Sequence, residues 1–542
     1  MITEDKTGKL RDFLNRNALR SLVMKAYQQK ISDQSELQEI KNQFALQYKI
    51  STPSNVELIR AYRELIEEKL LPDDREFWKV IRKRAVRSLS GIANITVITK
   101  AYPCPGKCIF CPTEPAMPKS YLSNEPAIMR AILNDFDAFR QTLNRVESLH
   151  KTGHETDKID VIVSGGTFSF YPKRYQADFT RGIFNALNHP LPKARSLKEA
   201  QDVNEKAANR CIGLSFETRP DHITIPELRR LRKLGCTKIE IGVQSLNDAV
   251  LELNRRGHGI KESKRAFKLI KDAGYKVNAH MMPNLLGSNP EIDLADMKEL
   301  FDNPAYRPDW LKIYPCMVVP WSQLEGIHKK GGFQAYDDET LTNLLVQMSA
   351  IIPEYVRVTR MYRDIPAPTI IAGSKISNLR QLVEMRAKEQ GIEFRDIRVR
   401  EIKGEKVDPA NLELKVKEFE ASDGQEFFIT FDDVTRDKLC SLLRLRFSSY
   451  SLNGKPHFMK ELEGAALIRE VHVYGEQVGL TSRGDKTSQH IGLGRQMMNK
   501  AEELALKNGF KKMAVISGIG VREYYRKLGY ELEGTYMVKK LK

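Results

Sequence analysis

The chain has 542 residues, 41% of them hydrophobic and 29% charged, a globular composition spread over more length than one core can use. It contains no apolar run of about 18 residues and no secretory leader, which argues against a membrane-spanning protein and makes the cytoplasm the expected location. Lysine and arginine number 87 against 70 aspartates and glutamates, for a formal net charge of +17, and so basic a balance points to a polyanionic partner, nucleic acid first.

In chain order, residues 1–75 read as helices of mixed charge, "KLRDFLNRNALRSLVMKAYQQK" and "NVELIRAYRELIEEKLL" among them. They lead into "IRKRAVRSLS", where Arg82, Lys83, Arg84 and Arg87 offer contacts to phosphates ahead of a β-branched strand. From 76 to 394 strand-like runs ending in polar or glycine residues alternate with segments of helical period. "IDVIVSGGTF", "CIGLSFETRPD", "KIEIGVQS", "KVNAHMMP", "WLKIYPCMVV" and "VRVTRMYRDIP" are such strands. Six or seven β/α units in series predict a parallel sheet or partial barrel with chemistry at the carboxyl ends of its strands. After residue 395 the pattern becomes α+β: three strands, a long helix, a strand, a short helix and a final strand.

Three of the seven cysteines, Cys104, Cys108 and Cys111, fall in "CPGKCIFC"; Cys211, Cys236, Cys316 and Cys440 are scattered. This is no disulfide framework and suits a metal centre in a reducing compartment. Cys108-x2-Cys111 alone fits half of a zinc site, but no second Cys or His pair follows nearby to complete it.

The C-x3-C-x2-C spacing, with Phe110 before the last cysteine, resembles the radical S-adenosylmethionine (SAM) superfamily. That resemblance implies a partial (β/α) barrel, a 4Fe–4S cluster and SAM chelated at the open iron. "SGGTF" is similar to the glycine motif that meets SAM in that superfamily, with Gly165, Gly166 and Thr167 where many members end in Glu. Glu217, Arg219 and Gln244 at neighbouring strand ends are candidate polar groups at the barrel mouth; each also reads as an ordinary strand-end turn.

"SQHIGLGRQMMNKAEELA" opens an amphipathic helix with Q-x-x-G-x-G, so backbone amides at Gly492 and Gly494 can meet a pyrophosphate. Between the strand "REVHVYG" and the run "KKMAVIS…VREYYRKLGYE", it resembles the GNAT acetyltransferase fold. By that resemblance Glu470, Val471, His472 and Val473 line the pantetheine of acetyl-coenzyme A, and Ser488, Gln489, His490, Gly492 and Gly494 hold its pyrophosphate. Tyr524 and Tyr525 approach the thioester, unless they are simply a packed aromatic pair.

Together these motifs resemble the family of the Elongator catalytic subunit, in its single-protein form. "NEPAIMRAI", "DKIDVIVSGGTF", "GLSFETRPD", "AHMMPNL", "YRDIPAP", "LLRLR" and "AVISGIGVREYYRKLGY" carry the resemblance over residues 82–542. Eukaryotic members have a longer gap between the first two cysteines than this chain. The resemblance implies formation of 5-carboxymethyluridine at the wobble position of the tRNA anticodon loop, with the acetyl methyl of acetyl-coenzyme A as carbon source and a SAM-derived radical as initiator. It also implies that Lys158 contacts acetyl-coenzyme A and that an external electron donor is needed; a homodimer stays open. A protein-lysine acetyltransferase with a structural cluster and an inert tRNA-binding scaffold are the competing classes.

Overall fold

The structure, a computed structural model, describes residues 4–48, 51–82, 91–403, 405, 407–475 and 492–542. Four helices come first: α1 (Glu4–Gln28), α2 (Gln34–Tyr48), α3 (Asn55–Glu67) and α4 (Arg75–Ile81). Their apolar faces close on one another through Leu22, Val23, Leu58, Tyr62, Leu65, Phe77 and Ile81. Ser54 starts α3 with a capping box to Glu57, which satisfies two of the orphan donors of the first turn. The core of this bundle runs past residue 75, because Phe77, Val80 and Ile81 of α4 belong to it.

Seven strands follow: β1 (Ala93–Ile98), β2 (Lys158–Ser164), β3 (Arg210–Thr218), β4 (Lys238–Gln244), β5 (Lys276–Met281), β6 (Trp310–Ile313) and β7 (Arg357–Arg360). They are parallel and lie in sequence order from β1 to β7, so β1 and β7 are the edges of an open, partial barrel with helices outside. Alternation decides its inside. In β4, Ile239, Ile241 and Val243 join the apolar core, while Lys238, Glu240 and Gln244 stand on the opposite, lumenal face.

The second sheet contains β8 (Leu412–Ala421), β9 (Gly424–Asp433), β10 (Lys438–Phe447), β11 (Ala466–Val473), β12 (Lys512–Val515), β13 (Glu531–Glu533) and β14 (Tyr536–Lys540). Its order is β13-β14-β12-β11-β10-β9-β8. Only β11 and β12 pair in parallel, and their register spans Ala466 to Ile468 of the longer β11. The helix Leu493–Lys507 covers this sheet with Met497, Met498 and Ala501.

The second sheet sits against the amino ends of the barrel strands. Arg469 on β11 donates to the Tyr275 carbonyl and to Asp309 Oδ2, both at 2.9 Å. Arg446 on β10 donates to Asp272 Oδ1 at 3.0 Å, and Arg444 to the Tyr355 carbonyl at 2.7 Å. In the other direction Arg232 reaches the carbonyls of Ser517 and Thr535, each at 2.8 Å. Gly518 lies so close beneath β3 that a side chain there would collide with the Ile212 carbonyl. Both sheets share one continuous apolar core. No helix among the described residues is long and apolar enough to cross a membrane.

Candidate active site

The cysteine loop leaves the carboxyl end of β1 and is pinned from two sides. Ile109 N–H donates to the Asn254 carbonyl at 3.2 Å, and Leu324 N–H donates to the Ile109 carbonyl at 2.9 Å. A tight turn, with Cys111 N–H on the Cys108 carbonyl at 3.3 Å, brings those two thiols together. The Cys111 thiol and the Arg256 guanidinium, whose Nη1 is 3.4 Å from Cys108 Sγ, pull the Cys108 thiol down to about 5 against the effect of burial. Cys111 is pushed up in turn, first by its hydrogen bond to Cys108 and then by burial. A thiolate poised beside a fixed cation is what metal ligation requires. Cys316 shares the apolar cluster next to the loop, but burial raises its thiol to about 12, which makes it a packing residue.

The first cysteine meets the glycine motif. Thr167 Oγ1 lies 3.6 Å from Cys104 Sγ, and Gly106 N–H donates to the same sulfur at 3.4 Å. Gly165 and Gly166 have φ of 137° and 99°, a region open to glycine and strained for other residues; a Cβ on Gly165 would overlap the Thr99 hydroxyl. Gly165 N–H points to Glu217 Oε2 at 3.4 Å, and Glu217 also accepts from the Tyr121 hydroxyl at 2.9 Å. Gly106 leaves room for the Arg219 guanidinium. Arg219 forks onto Asp221 with two bonds of 2.9 Å and donates to the Arg256 carbonyl at 2.7 Å. Gln244 closes β4 with a left-handed backbone at φ 78°, and its carbonyl accepts Met282 N–H at 2.7 Å.

The loop fits the cluster it suggests. Arg219 Nη1, Arg256 Nε and Gln244 Oε1 are buried with no hydrogen-bond partner among the described residues, and all three surround the same end of the barrel. Burying such atoms is costly unless a further group completes them. Three thiols on one loop, with polar atoms in reserve around them, fit a cube with one open iron and a polar molecule on it.

Beneath this rim the lumen holds groups that the sequence reading passed over. Glu240, His280 and Lys312 form a buried cluster: His280 Nε2 is 3.2 Å from Glu240 Oε2, and the Lys312 ammonium is ion-paired with the same carboxylate. Burial alone would raise the Glu240 carboxyl, yet Lys312 and then His280 hold it well below the carboxylate range. Glu217, Glu240 and His280 place ligand atoms close enough for a metal ion, but the ammonium already neutralises this carboxylate. Ser215 and the Lys238–Asp160 pair, at 3.1 Å, continue the polar column toward the amino end. The available signal was two charges, Lys238 and Glu240, at alternate positions of the otherwise apolar strand "KIEIGVQ".

Lys158 is the first residue of β2 and Gly165 follows its last. At about 3.3 Å per residue, Lys158 and the cysteine loop lie roughly 20 Å apart, at opposite ends of the barrel. Burial lowers the Lys158 ammonium. Its register neighbour Arg210 lies against Gly520, in the short turn Ile519–Val521 after β12, so Lys158 belongs on the side of the second sheet. There, β11 runs on past its short pairing with β12 through Glu470, Val471, His472 and Val473. The Glu470 carboxylate is taken by Arg444 at 2.8 Å, while the His472 ring packs on Tyr474 with centroids 4.3 Å apart. Gly492 caps the helix Leu493–Lys507 at φ 79°. Gly494 leaves space that the Tyr524 hydroxyl borders: a Cβ there would lie 2.8 Å from it. Tyr524 is half-exposed, whereas Tyr525 is buried edge-on between Tyr524 and Tyr530. Of the two tyrosines, Tyr524 is the one at the helix entrance. Ser488, Gln489 and His490 lie outside the described residues, as do Lys83, Arg84 and Arg87. Arg82 rests its stem on Gly153 with its charge near Glu155, at the joint between bundle and barrel.

The model of the radical SAM superfamily matches residues 98–300, and that of the Radical_SAM C-terminal domain residues 308–389. With the open parallel barrel and the cysteine loop, this makes the chain a radical SAM protein, a class whose cofactors are a 4Fe–4S cluster and SAM. The tRNA uridine(34) acetyltransferase of Methanocaldococcus infernus is 41% identical over 96% of this chain and 98% of its own. Elongator complex protein 3 of Homo sapiens is 38% identical over 94% of this chain and 93% of its own. The solved structure of the archaeal Methanocaldococcus infernus Elp3 with an N-terminal deletion superposes with a TM-score of 0.73 at 39% identity, covering 83% of this chain and 100% of that one. The chain belongs to the family of tRNA uridine(34) acetyltransferases and Elongator complex protein 3.

Proposed function

We propose that this chain forms 5-carboxymethyluridine at the wobble uridine of tRNA from acetyl-coenzyme A, by radical chemistry begun at the cysteine loop. The observation that carries the reading is the pairing of two different sites in one packed body. A thiolate loop with uncompleted polar atoms lies at one end of the barrel, and a sheet with β11 extending beyond its pairing with β12 lies at the other. The names of the full-length relatives support the substrate. When bound, the cluster and SAM supply the one-electron chemistry that can attack an unactivated C–H bond.

The chain's residues divide the remaining tasks. Cys104, Cys108 and Cys111 hold the cluster, with Arg256 keeping Cys108 ionised and Thr167 facing Cys104. Gly165, Gly166, Glu217, Arg219 and Gln244 face SAM, the glycines by letting backbone come close. The helix entrance at Gly492 and Gly494, with Ser488 to His490 ahead of it, binds the pyrophosphate. Glu470 to Val473 offer β11 as an edge for pantetheine. Tyr524 and Lys158 sit on that side to position the thioester, with Tyr525 packed behind Tyr524, and Arg82, Lys83, Arg84 and Arg87 with the helices meet tRNA phosphates. A wobble base lies in a loop, from which it can be splayed into a pocket.

Anaerobic incubation of the cluster-loaded chain with SAM, acetyl-coenzyme A, dithionite and tRNA, followed by nucleoside mass spectrometry, tests the reading. Carboxymethyluridine is the expected product. Acetyl-lysine on protein with unmodified tRNA would move the chain to the acetyltransferase class.

A further inference from the structure

At the seam between the two halves, Lys276 is left out of the ionic pairing. Lys238 pairs with Asp160 at 3.1 Å, and Lys271 lies 3.5 Å from Glu426 and 3.8 Å from Asp309. Lys276, the first residue of β5, is half-buried, yet its ammonium makes no hydrogen bond or ion pair among the described residues. The Tyr275 carbonyl just before it accepts from Arg469 at 2.9 Å, which brings Lys276 and Glu470 side by side. Burial works to raise the Glu470 carboxyl, but Lys276 and then Arg444 hold it below its usual range. Arg444 already occupies that carboxylate at 2.8 Å, so the ammonium beside it stays available.

The free stretch of β11 also has a direction. Its pairing with β12 ends at Ile468, and Arg469 is an extra residue against β10, where Arg444 faces Glu470 and Leu445 faces Ile468. At the far end, a Cβ on Gly494 would lie 3.7 Å from Val473, so the helix entrance stands at Val473. A coenzyme with its pyrophosphate at that entrance lays its arm back along His472 and Val471. Its reactive end then arrives where β11 and β12 part, between Glu470 and Lys276. Tyr525 is on the same side, its hydroxyl pushed up by burial, by Tyr524 and by Glu470.

We propose that Lys276 receives the thioester carbonyl of acetyl-coenzyme A and stabilises the oxyanion formed in its hydrolysis. The proposal rests on the reading of β11 and the Gly492–Gly494 entrance as the coenzyme site. Carboxymethyluridine carries a free carboxylate, so the thioester must be cleaved by water. The water oxygen bonds to the carbonyl carbon, and an electron pair moves onto the carbonyl oxygen. As the carbonyl reforms, the C–S bond breaks; one proton of the water goes to the leaving sulfur, the other to solvent, and a carboxylate remains. A fixed cation in a site poor in water favours that oxyanion over the neutral carbonyl. Lys238, Lys271, Arg444 and Arg469 are committed to carboxylates of the seam, which leaves Lys276 for the task.

The test uses the iron–sulfur-loaded full chain, as wild type, Lys276→Met and Lys276→Arg, with acetyl-coenzyme A and tRNA, and reads thiol release. Lys276→Met should lower kcat for hydrolysis about a hundredfold, a usual loss when one oxyanion donor is removed, and leave KM within about twofold. Coenzyme A, which has no carbonyl, should bind this variant as tightly as the wild type. Lys276→Arg keeps a cation in place and should recover most of the rate. The urea midpoint should stay near the wild-type value, because Arg444 keeps Glu470 paired. A wild-type kcat in Lys276→Met overturns the proposal. A parallel loss of coenzyme A affinity overturns it too and puts the ammonium on a phosphate. A lowered urea midpoint with no recovery of rate in Lys276→Arg makes the lysine structural and overturns it as well. A wild-type chain that neither binds nor hydrolyses acetyl-coenzyme A sinks the coenzyme site itself, a result distinct from the loss of one contact.

Discussion

The two ends of the barrel carry charge in opposite ways. At the amino end Arg444, Arg446 and Arg469 are buried and meet carboxylates and carbonyls of the barrel. At the carboxyl end Arg219 and Arg256 are just as buried, yet each keeps a polar nitrogen without a partner among the described residues. The same side chain is a rivet at one end and a waiting contact at the other. For these five arginines, completed polarity goes with the joint between the halves and uncompleted polarity with the end that carries the cysteine loop.

The sharpest way to break this contrast is at the cysteine loop. Cys108→Ala should take iron from about four per chain, the content of a single cubane, to almost none, and abolish carboxymethyluridine formation while circular dichroism stays unchanged. Stoichiometric zinc in the wild type under the same reconstitution would put a structural metal there instead. At the amino end Arg469→Ala should leave Asp309 and Glu426 buried and short of a partner, a change that typically costs about 3–5 kcal/mol. A lowered urea midpoint, read through Trp310 on the barrel strand at this joint, would show it, and an unchanged midpoint would mean the rivets carry no load. Gly518→Ala forces a methyl group against the Ile212 carbonyl, and should cost about 1–3 kcal/mol by the same measurement.

Acid provides a gentler probe of the same joint. Burial works to raise the Asp309 carboxyl, but Arg469, Lys271 and Arg444 outweigh it and hold it well below its usual range. Its contribution to stability is therefore complete above the ordinary aspartate value of about 3.9 and is lost as the pH falls below it. Trp310 fluorescence should report loosening of the wild type in that window, whereas Asp309→Asn should be less stable already at neutral pH and show a flatter dependence on pH there. The smallest effect is expected at the tyrosine pair. Tyr524→Phe should leave stability within about 0.5 kcal/mol and weaken acetyl-coenzyme A binding, because its hydroxyl borders Gly494. Tyr525→Phe, in the buried trio, should leave that affinity unchanged. The reverse result would move the thioester to Tyr525.

The barrel was legible because each strand is a short β-branched run ending in glycine or polar residues, and the cysteine loop was legible from spacing alone. The order of strands around the long helix of the second sheet was legible too. β8 was not: "LELKVKEFEA" carries charge at most positions, and its solvated face hides the strand period until β9 is beside it. The lumenal Glu240, His280 and Lys312 were missed because they come from three different strands; only the parallel register brings them together. Lys158 and Gly165 look adjacent in "DKIDVIVSGG", yet an extended strand sends them to opposite ends. The arginines of "LLRLR" read as a family signature, and their task appears only when Asp272 and Asp309 of the barrel half arrive.

The shared core of the two sheets also bears on heredity. A module that folds by itself can be passed between genes, fused or dropped, and its host survives the exchange. Here the seam is lined by Arg232, Arg446 and Arg469 in the dry interior, so a gene cut near residue 395 would yield two pieces, each with unanswered charge and an exposed apolar face. The radical-forming half and the half that resembles an acetyltransferase are thus bound to be inherited, lost or redesigned together.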